Sequence, residues 1–202
     1  MIINTYHLAN MIIWKTGSIF DSNCKTLVNT VNCEGVMGKG LALQFKEKYK
    51  CTPMFKCYQH YCKYGKNGHN SDMLLYKGGS IVFWYFSKAD DNEQWLTLMQ
   101  PLNQIVDNNA PRHHVLHFAT KEFWRNPSKI EWIEEGLYRF AEKDYNGKKF
   151  WQLGTKSYIE GMKTIAWPKL GCTNGGLDWE SQVKPLMIRY LDPLPIECEI
   201  YE

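Results

Sequence analysis

Short apolar runs alternate with helical patterns along the chain. The runs are rich in β-branched or aromatic residues and are bounded by glycine, asparagine, aspartate or proline, which is typical of buried strands. They predict strands at residues 11–14, 26–31, 80–86, 115–119, 163–167 and 196–201.

Three other stretches carry apolar side chains at helical spacing. The first, residues 41–49, begins directly after a glycine cluster. The second, residues 129–143, has the longest apolar stripe, and Ser128 with Glu131 form an S-x-x-E pattern that predicts a capping box at its start. The third is predicted between residues 183 and 191, where a proline fits only within the first helical turn.

Strands that alternate with helices predict an α/β fold, in which a mixed, mostly parallel sheet is covered by helices on both faces. The chain has 202 residues, of which 44% are hydrophobic, and this is enough for one compact core. We therefore expect a single domain over residues 1–202. Residues 63–112 are less regular and predict an insertion or surface loops, with aromatic residues such as Trp84 and Trp95 in a core rather than against bases.

Composition excludes several classes of protein. No apolar run is long enough to cross a bilayer, and the first thirty residues lack the order of a secretory signal, so we expect a soluble cytoplasmic protein without membrane contact. Seven cysteines without a CxxC pair predict reduced thiols. Cys51, Cys57 and Cys62 with His60 lack the tight ligand pairs of structural zinc sites, and we expect neither metal nor cofactor. The net charge of +3 permits an anionic ligand without indicating nucleic acid.

The first glycine loop, residues 32–40, follows a predicted strand. Its sequence, NCEGVMGKG, turns through three glycines and enters a predicted helix. Glycine lets the backbone approach a ligand closely, and the N-terminus of a helix offers unpaired N–H groups to an anion. The spacing matches neither a Walker A loop nor a dinucleotide fingerprint, so a nucleotide triphosphatase or a dehydrogenase is not indicated.

The second glycine loop, residues 169–178, has the sequence KLGCTNGGLD and also follows a predicted strand. Either loop alone is as consistent with an ordinary turn as with phosphate binding. In open α/β sheets, however, ligands bind beyond the carboxyl ends of the strands. Two such loops at one edge of a sheet predict a site for one extended, doubly charged ligand.

Together the two loops resemble those of a known family. VNTVN-x-x-GVMGKG-x-ALQFK at residues 28–46 and P-x-LGC-x-NGGLDW at residues 168–179 are similar to the macrodomain family, and most similar to its DarG-type branch, whose members remove ADP-ribose from thymidine bases in DNA. HFATKEFWR at residues 117–125 resembles the F-x-T-K-x-x-W-R segment of that branch. The resemblance covers residues 11–65 and 114–191.

The resemblance implies a three-layer macrodomain fold and an ADP-ribosyl hydrolase acting on an ADP-ribosylated target such as DNA. It also implies a cognate ADP-ribosyltransferase as a partner, in an antitoxin or anti-defence role. Two alternatives stay open. One is a module that binds ADP-ribose without turnover, and the other is an enzyme for a free metabolite, such as a phosphate or O-acetyl ester of ADP-ribose.

Binding residues follow from the same resemblance. The first glycine loop is expected to wrap the distal ribose and one phosphate with Asn32, Gly35, Val36, Met37, Gly38, Lys39 and Gly40. The second is expected to cradle the pyrophosphate through the backbone amides of Gly171, Cys172, Thr173, Asn174, Gly175, Gly176 and Leu177. Thr120 is expected beside them, next to the catalytic residue.

Lys121 matches the catalytic lysine of the family. A lysine beside two anion loops can act as a nucleophile toward the anomeric carbon or as an electrostatic stabiliser. The first role requires a neutral amine, so desolvation or neighbouring cations such as Lys39, Lys169 or Arg125 must lower its pKa. Without the neighbouring motif, a solvated surface lysine is the simpler interpretation.

The sequence departs from the family pattern at several positions. An aspartate that recognises adenine in many macrodomains is replaced within Gly17-Ser18-Ile19, where Ser18 and Ile19 are expected to contact the base and Asp21 is an alternative. Gly175 occupies the position of an acidic residue that assists the lysine in related hydrolases. Asp178 is expected to cap the last helix instead. Thr173 replaces a usual glycine, and Cys172 is expected to fill space rather than to act as a nucleophile.

Overall fold

The computed structural model describes residues 12–50, 54–64, 73–77, 80–82, 113–142, 144–145, 148–149 and 163–202. The strands are β1 (Ile12–Lys15), β2 (Thr26–Asn32), β3 (Met73–Lys77), β4 (Ser80–Val82), β5 (His114–Lys121), β6 (Asp144–Tyr145), β7 (Lys148–Lys149), β8 (Thr164–Pro168) and β9 (Glu197–Tyr201). The helices are α1 (Gly40–Lys48), α2 (Met54–Tyr64), α3 (Ile130–Ala141) and α4 (Lys184–Leu191). A 3-10 turn at Ile19–Asp21 and a π-helical turn at Trp179–Val183 complete the elements of these residues.

Seven strands form one sheet in the order β1-β9-β8-β2-β5-β3-β4. The five strands from β1 to β5 in this order are parallel, and β3 and β4 continue the sheet in antiparallel fashion. The short strands β6 and β7 pair separately. The predicted α/β fold with a mixed, mostly parallel sheet is confirmed.

The central strand β2 is buried on both faces because helices cover the sheet from both sides. Val28 joins one core cluster, which contains residues of α3 and α4 such as Leu137 and Met187. Leu27 joins the other, which contains Phe45 of α1 and side chains of α2. Alternation of side chains along a strand accounts for this division. The result is the three-layer arrangement that the sequence predicts.

Most of the predicted elements occur at their expected positions. The strands β1, β2, β5, β8 and β9 and the helices α1, α3 and α4 match the predicted ones, whereas α2, β3, β6 and β7 were not predicted. The predicted strand at 80–86 corresponds to β4 at its start, and the remainder lies outside the described residues, as do Trp84 and Trp95. No helix among the described residues combines the length and apolar character needed to span a bilayer.

The capping box predicted at Ser128 and Glu131 is wrong. Helix α3 begins at Ile130, and its N-cap is Lys129, which makes no side-chain capping bond. Ser128 therefore lies one residue before the N-cap position. Its N–H donates to the carbonyl oxygen of Gly175 (2.9 Å), and its side chain is buried against the second glycine loop. Packing against that loop therefore overrides the local capping signal.

The start of the last helix is as predicted. Oδ1 of Asp178 accepts a hydrogen bond from the backbone N–H of Ser181 (2.7 Å) and caps the π-helical turn. Pro185 lies in the first turn of α4, directly after the π-helical turn in which the N–H of Lys184 donates to the carbonyl oxygen of Trp179.

Gly136 of α3 provides a test of the packing between helix and sheet. An added Cβ would collide with the ring of Phe118, 2.9 Å from its Cε2, and that ring is itself packed edge-on against Trp167. Glycine to alanine in a helix normally stabilises by about 1 kcal/mol, but this overpacking is expected to reverse the sign. We expect Gly136→Ala to lower the free energy of unfolding by about 1–3 kcal/mol in urea titrations.

Gly38→Ala is the matched control, because the nearest atom to its added Cβ would be 3.8 Å away. Its unfolding midpoint is expected to stay near that of the parent. A Gly136→Ala protein as stable as the parent would contradict the packing described for Phe118.

Candidate active site

A cleft of about 860 Å³ lies at the carboxyl ends of the parallel strands. Its lining includes residues from the ends of β2, β5 and β8 and from both glycine loops. Strands that run in parallel bring these ends to one edge of the sheet, where the chain leaves each strand in a loop. The volume is within the range of small-molecule sites.

Asn32, the last residue of β2, organises the first glycine loop. Its Oδ1 accepts the backbone N–H groups of Glu34 (3.0 Å) and Val36 (3.3 Å), and its Nδ2 donates to the carbonyl oxygen of Val36 (2.6 Å). The hydroxyl of Tyr58 on α2 donates to the carbonyl oxygen of Asn32 (2.6 Å). Asn32 lines the cleft, but most of its side-chain hydrogen-bonding capacity holds the loop.

Two glycines fix the path of the first loop. Gly35 has a φ of 80° and lies so close to α2 that an added Cβ would be 3.3 Å from Cα of Gln59. Gly40 has a φ of 61°, and an added Cβ there would collide with the side-chain amide of Asn174 in the second loop. The two glycine loops are therefore in contact at Gly40 and Asn174.

Helix α1 begins at Gly40 on the cleft wall. Its N-cap, Lys39, makes no side-chain capping bond, and the first amide with a helical partner is that of Leu43. Earlier amides of this turn have no acceptor among the described residues. An uncapped helix N-terminus of this kind favours an anion.

The second glycine loop closes on itself. The N–H of Leu177 donates to the carbonyl oxygen of Gly171 (3.1 Å), and Gly171 has a φ of 69°. Between them, the amides of residues 173–176 donate to no acceptor within the described part of the chain. Successive free N–H groups in a turn form a concave anion site.

Lys121 ends β5 beside this loop. Its Nζ donates to the carbonyl oxygen of Asn174 (2.7 Å), and the residue is only 8% exposed. Val31 pairs with Ala119 but Asn32 pairs with Lys121, so a β-bulge at Thr120 changes the register directly before the lysine. Burial lowers the pKa of Lys121 below its usual value. No carboxylate among the described residues forms an ion pair with it.

A third segment, the aromatic loop (residues 122–127), borders the cleft after Lys121. The carbonyl oxygen of Glu122 accepts the N–H of Cys33 (2.9 Å), and the N–H of Trp124 donates to Oε2 of Glu34 (2.7 Å). Both Trp124 and Arg125 line the cleft. The first glycine loop therefore fixes the position of this segment.

The charged residues in the described lining of the cleft are all basic. The described lining contains Lys39, Lys121, Arg125 and Lys169 and neither aspartate nor glutamate. Charges of one sign in a cleft attract a ligand of the opposite sign. The cleft is therefore suited to an anionic ligand.

Tyr201, the last residue of β9, lines the cleft three strands away from Lys121. Its hydroxyl donates to Oε2 of Glu199 (3.0 Å), a carboxylate that also accepts from Ser22 (2.6 Å) and pairs with Lys15 (3.3 Å). These bonds hold the phenol in place. The sequence predicted the strand but contained no motif that indicated a role for this tyrosine.

Gly17, Ser18 and Ile19 also line the cleft. Oγ of Ser18 accepts the N–H of Phe20 (3.3 Å) and so caps the 3-10 turn. Asp21 is exposed and is absent from the described lining.

Most of the predicted binding residues lie together around the cleft. Those that line it are Ser18, Ile19, Asn32, Val36, Gly38, Lys39, Gly40, Thr120, Lys121, Gly171, Cys172, Thr173, Asn174 and Gly175. Those that do not are Gly35, Met37, Gly176 and Leu177. Lining residues that the binding prediction missed include Gly17, Thr30, Val31, Leu41, Ala42, Gln44, Trp124, Pro168 and Tyr201.

Two of the exceptions have a clear physical reason. The side chain of Met37 is buried below the first loop, where its Sδ accepts from Nδ2 of Asn29 (3.9 Å). Leu177 packs against the core on the α3 side. The side chain of Met37 is buried and that of Leu177 is partly buried, and both hold their loops against the core. They therefore do not line the cleft, where the sequence placed them as substrate contacts.

Cys172 and Gly175 have the limited roles that their chemistry allows. Burial raises the pKa of the Cys172 thiol to about 11, so it is not a thiolate at neutral pH and is a poor nucleophile. An added Cβ at Gly175 would lie 2.8 Å from the carbonyl carbon of Gly171 and would collide with Oγ of Ser128. The acidic residue of related hydrolases therefore has no room at this position.

Of the cysteine-rich segment considered for zinc, the described part of the chain includes neither Cys51 nor the side chains of Cys57 and His60. Within the described residues, Cys24, Glu197 and Glu199 bring possible ligand atoms within 4.8 Å of one another. Glu199 is already bonded to Ser22, Tyr201 and Lys15. The carboxylate of Glu199 therefore already has a structural role in holding Tyr201.

Similar proteins are known for both the sequence and the fold. A DNA ADP-ribosyl transferase–DNA ADP-ribosyl glycohydrolase fusion protein of Thermosipho africanus is 38% identical over 185 residues, which are 92% of this chain and 40% of that protein. The structure of Thermosipho africanus DarTG in complex with ADP-ribose has a TM-score of 0.67 and 32% identity, covering 96% of this chain and 42% of that one. Models of known protein families give no match.

The macrodomain of Mycobacterium tuberculosis DarG has a TM-score of 0.62 and 29% identity, and the match covers 96% of this chain and 98% of that one. With the three-layer sheet and the two glycine loops around one cleft, these likenesses define the class: the chain belongs to the macrodomain family. Within that family it is of the DarG type. The chain spans about two fifths of the length of the curated relatives that it matches.

Proposed function

We propose that the protein is an ADP-ribosyl glycohydrolase that removes ADP-ribose from thymidine bases of DNA. The observation that carries this proposal is Lys121, a buried lysine with a lowered pKa that is bonded to the second glycine loop at the cleft. A module that only binds ADP-ribose needs the two loops but does not need a lysine that takes part in chemistry at the ribose. The relatives named DNA ADP-ribosyl glycohydrolase support the proposed substrate.

The glycine loops account for binding. The free amides of residues 173–176 and the uncapped start of α1 would hold the two phosphates of ADP-ribose, since both offer N–H groups to an anion. The contact between Gly40 and Asn174 keeps these two anion sites adjacent. Ser18, Ile19 and Tyr201 would then meet the adenosine part, because they lie toward β9, away from Lys121.

Hydrolysis breaks the bond between C1″ of the distal ribose and the base nitrogen, and a water oxygen takes the place of the nitrogen. One water proton remains on the new hydroxyl and the other goes to the base. Lys121 has two alternative roles. As a neutral amine it attacks C1″ while the bond to the base nitrogen breaks and an amine proton passes to the base; water then breaks the C1″–Nζ bond, leaving its hydroxyl on C1″ and returning a proton to Nζ. As an ammonium it stabilises the charge of the leaving group while water attacks C1″ directly. Because the described lining lacks a carboxylate, neither role has an acidic residue to assist it.

A cognate ADP-ribosyltransferase is part of the proposal, since an enzyme that removes ADP-ribose from DNA needs one that attaches it. The name of the Thermosipho africanus relative combines the two activities in one chain. We infer that this protein opposes such a transferase in an antitoxin or anti-defence role. Its cytoplasmic location and its single-domain organisation stay predictions.

A panel of substrates tests the proposal against its alternatives. The protein is incubated with single-stranded DNA that carries ADP-ribose on thymidine, with ADP-ribose 1″-phosphate and with O-acetyl-ADP-ribose, and kcat/KM is measured for each. The proposal expects the DNA to have the highest kcat/KM. A higher value for either small ester would favour a metabolite enzyme, and binding of ADP-ribose without turnover of any substrate would favour a non-catalytic module.

A further inference from the structure

The aromatic loop exposes two large apolar side chains beside the lysine. Trp124 is 50% exposed and Phe123 is 45% exposed, the highest values for large hydrophobic residues in the described part of the chain. Trp124 follows Lys121 by three residues and lines the same cleft. Exposed aromatic surface at a cleft commonly marks a place where a ligand or partner binds.

This segment is held from both sides of the cleft. Cys33 and Glu34 of the first glycine loop bond to the backbone of Glu122 and Trp124. The N–H of Ser128, the residue directly after the aromatic loop, donates to the carbonyl oxygen of Gly175 in the second glycine loop. An exposed indole on an anchored backbone loses less entropy on binding than one on a free loop.

Arg125 adds a cation to the exposed indole. Its guanidinium lies 4.7 Å from the centroid of the Trp124 ring, and the side chain is itself exposed. An aromatic ring with a neighbouring arginine is a common platform for an unpaired base and its phosphate. The described cleft lining contains no carboxylate, and the nearby carboxylate of Glu34 accepts the N–H of Trp124.

We propose that Trp124 and Arg125 form the leaving-group subsite, in which the indole stacks on the modified base and the guanidinium binds a flanking phosphate of single-stranded nucleic acid. The inference rests on the proposed function and narrows its substrate to an unpaired strand. A base inside a duplex cannot reach such a platform without being flipped out. The subsite also explains how a macromolecular substrate would be preferred over a free ester of ADP-ribose.

Binding to a protein that cannot turn over substrate tests the subsite directly. In the Lys121→Ala background, the dissociation constants of free ADP-ribose and of an oligonucleotide with ADP-ribose on one thymidine are measured for Trp124, Trp124→Phe and Trp124→Ala. We expect the oligonucleotide to bind more tightly than ADP-ribose. Trp124→Ala is expected to weaken binding of the oligonucleotide by roughly 5- to 150-fold and to leave the affinity for ADP-ribose unchanged. The affinity of Trp124→Phe for the oligonucleotide is expected to lie between those of Trp124 and Trp124→Ala.

Tyr138→Ala is the matched control, because Tyr138 is 40% exposed on α3 and is absent from the cleft lining. It is expected to change neither constant. Arg125→Gln is expected to weaken binding of the oligonucleotide but not of ADP-ribose. It is also expected to make the oligonucleotide affinity depend less steeply on salt concentration, by the amount that corresponds to about one lost phosphate contact.

Two results would overturn the subsite. One is that the oligonucleotide binds no more tightly than ADP-ribose. The other is that the Trp124→Ala protein keeps full affinity for the oligonucleotide, in which case the exposed indole would be assigned to contact with a protein partner instead. Either outcome is distinct from failure of the proposed hydrolysis. Failure of the proposed hydrolysis would instead be seen with the parent protein, which keeps Lys121. That protein would bind the oligonucleotide through Trp124 but would release no ADP-ribose.

Discussion

Replacing Lys121 with alanine is expected to lower the rate of ADP-ribose release from modified DNA by about 10²- to 10⁴-fold, the range in which a positioned proton-transfer or charge-stabilising group acts. Binding of free ADP-ribose is expected to change little. The second glycine loop keeps its own closure between Gly171 and Leu177 and its bond from Ser128 when the contact of Lys121 with Asn174 is lost. Single-turnover release assays and calorimetry measure the two effects separately.

Two further variants make the result specific. Lys121→Met keeps the length of the side chain without its charge and is expected to be as inactive as Lys121→Ala. Lys25→Ala removes an exposed lysine before the amino end of β2, at the opposite edge of the sheet, and is expected to retain parental rates. Parental release by Lys121→Met would contradict the role of this lysine.

The pH dependence separates the two roles of Lys121. Burial favours the neutral amine, so the pKa lies below the usual value of a lysine. If the neutral amine attacks C1″, the rate rises with pH through this lowered pKa and then becomes constant. If the ammonium stabilises the leaving group, the rate falls through the same pKa as pH rises.

Gly175→Ala is expected to weaken ADP-ribose binding by roughly 10- to 100-fold, equivalent to the loss of one hydrogen bond to a charged group. The added Cβ would lie 2.8 Å from the carbonyl carbon of Gly171 and would collide with buried Oγ of Ser128, so the backbone of the loop has to shift to admit it. Because Gly175 also accepts the N–H of Ser128, a shift there displaces the amides proposed to bind pyrophosphate. Calorimetry with ADP-ribose measures the loss.

Gly176→Ala is the comparison within the same loop. Nothing lies near its added Cβ, so the change introduces only the backbone strain of a residue with a φ of 78°. We expect a smaller loss of affinity than for Gly175→Ala. Equal affinities for Gly175→Ala and the parent would contradict the described geometry of the second loop.

The strands and the glycine loops could be predicted because their signals are local. A buried strand such as β2 is a run of apolar residues, and the glycines that follow it, Gly35 and Gly40, adopt backbone angles that favour glycine. Parallel pairing then brings the loops to one edge, so their shared cleft followed from the topology. Lys121 could be singled out only because the motif around it resembles a family.

The missed elements have weaker or competing signals. Helix α2 buries Met54 and Tyr58 and half-buries Cys62, which recur every four residues, but three such positions in a segment rich in polar residues are a weak helical signal. Strand β3 is short and lies in the irregular part of the sequence, and it is defined by its antiparallel pairing with β5. Pairing of this kind is a tertiary contact that periodicity does not contain.

Side-chain direction within loops could not be predicted either. Met37 and Leu177 belong to the glycine loops by sequence but point into the core, and Ser128 packs on a loop rather than capping a helix. No period relates neighbouring residues in a loop, so only the folded chain shows which side chains face the ligand. Tyr201 joins the site for the same reason, through the strand order.

The most direct test of the account is the mass of a single-stranded oligonucleotide with ADP-ribose on one thymidine, measured before and after incubation with the parent protein. The account predicts that the mass falls to that of the unmodified oligonucleotide while free ADP-ribose appears in equal amount. An unchanged mass, with a preparation that binds free ADP-ribose in calorimetry, would contradict the proposed hydrolysis.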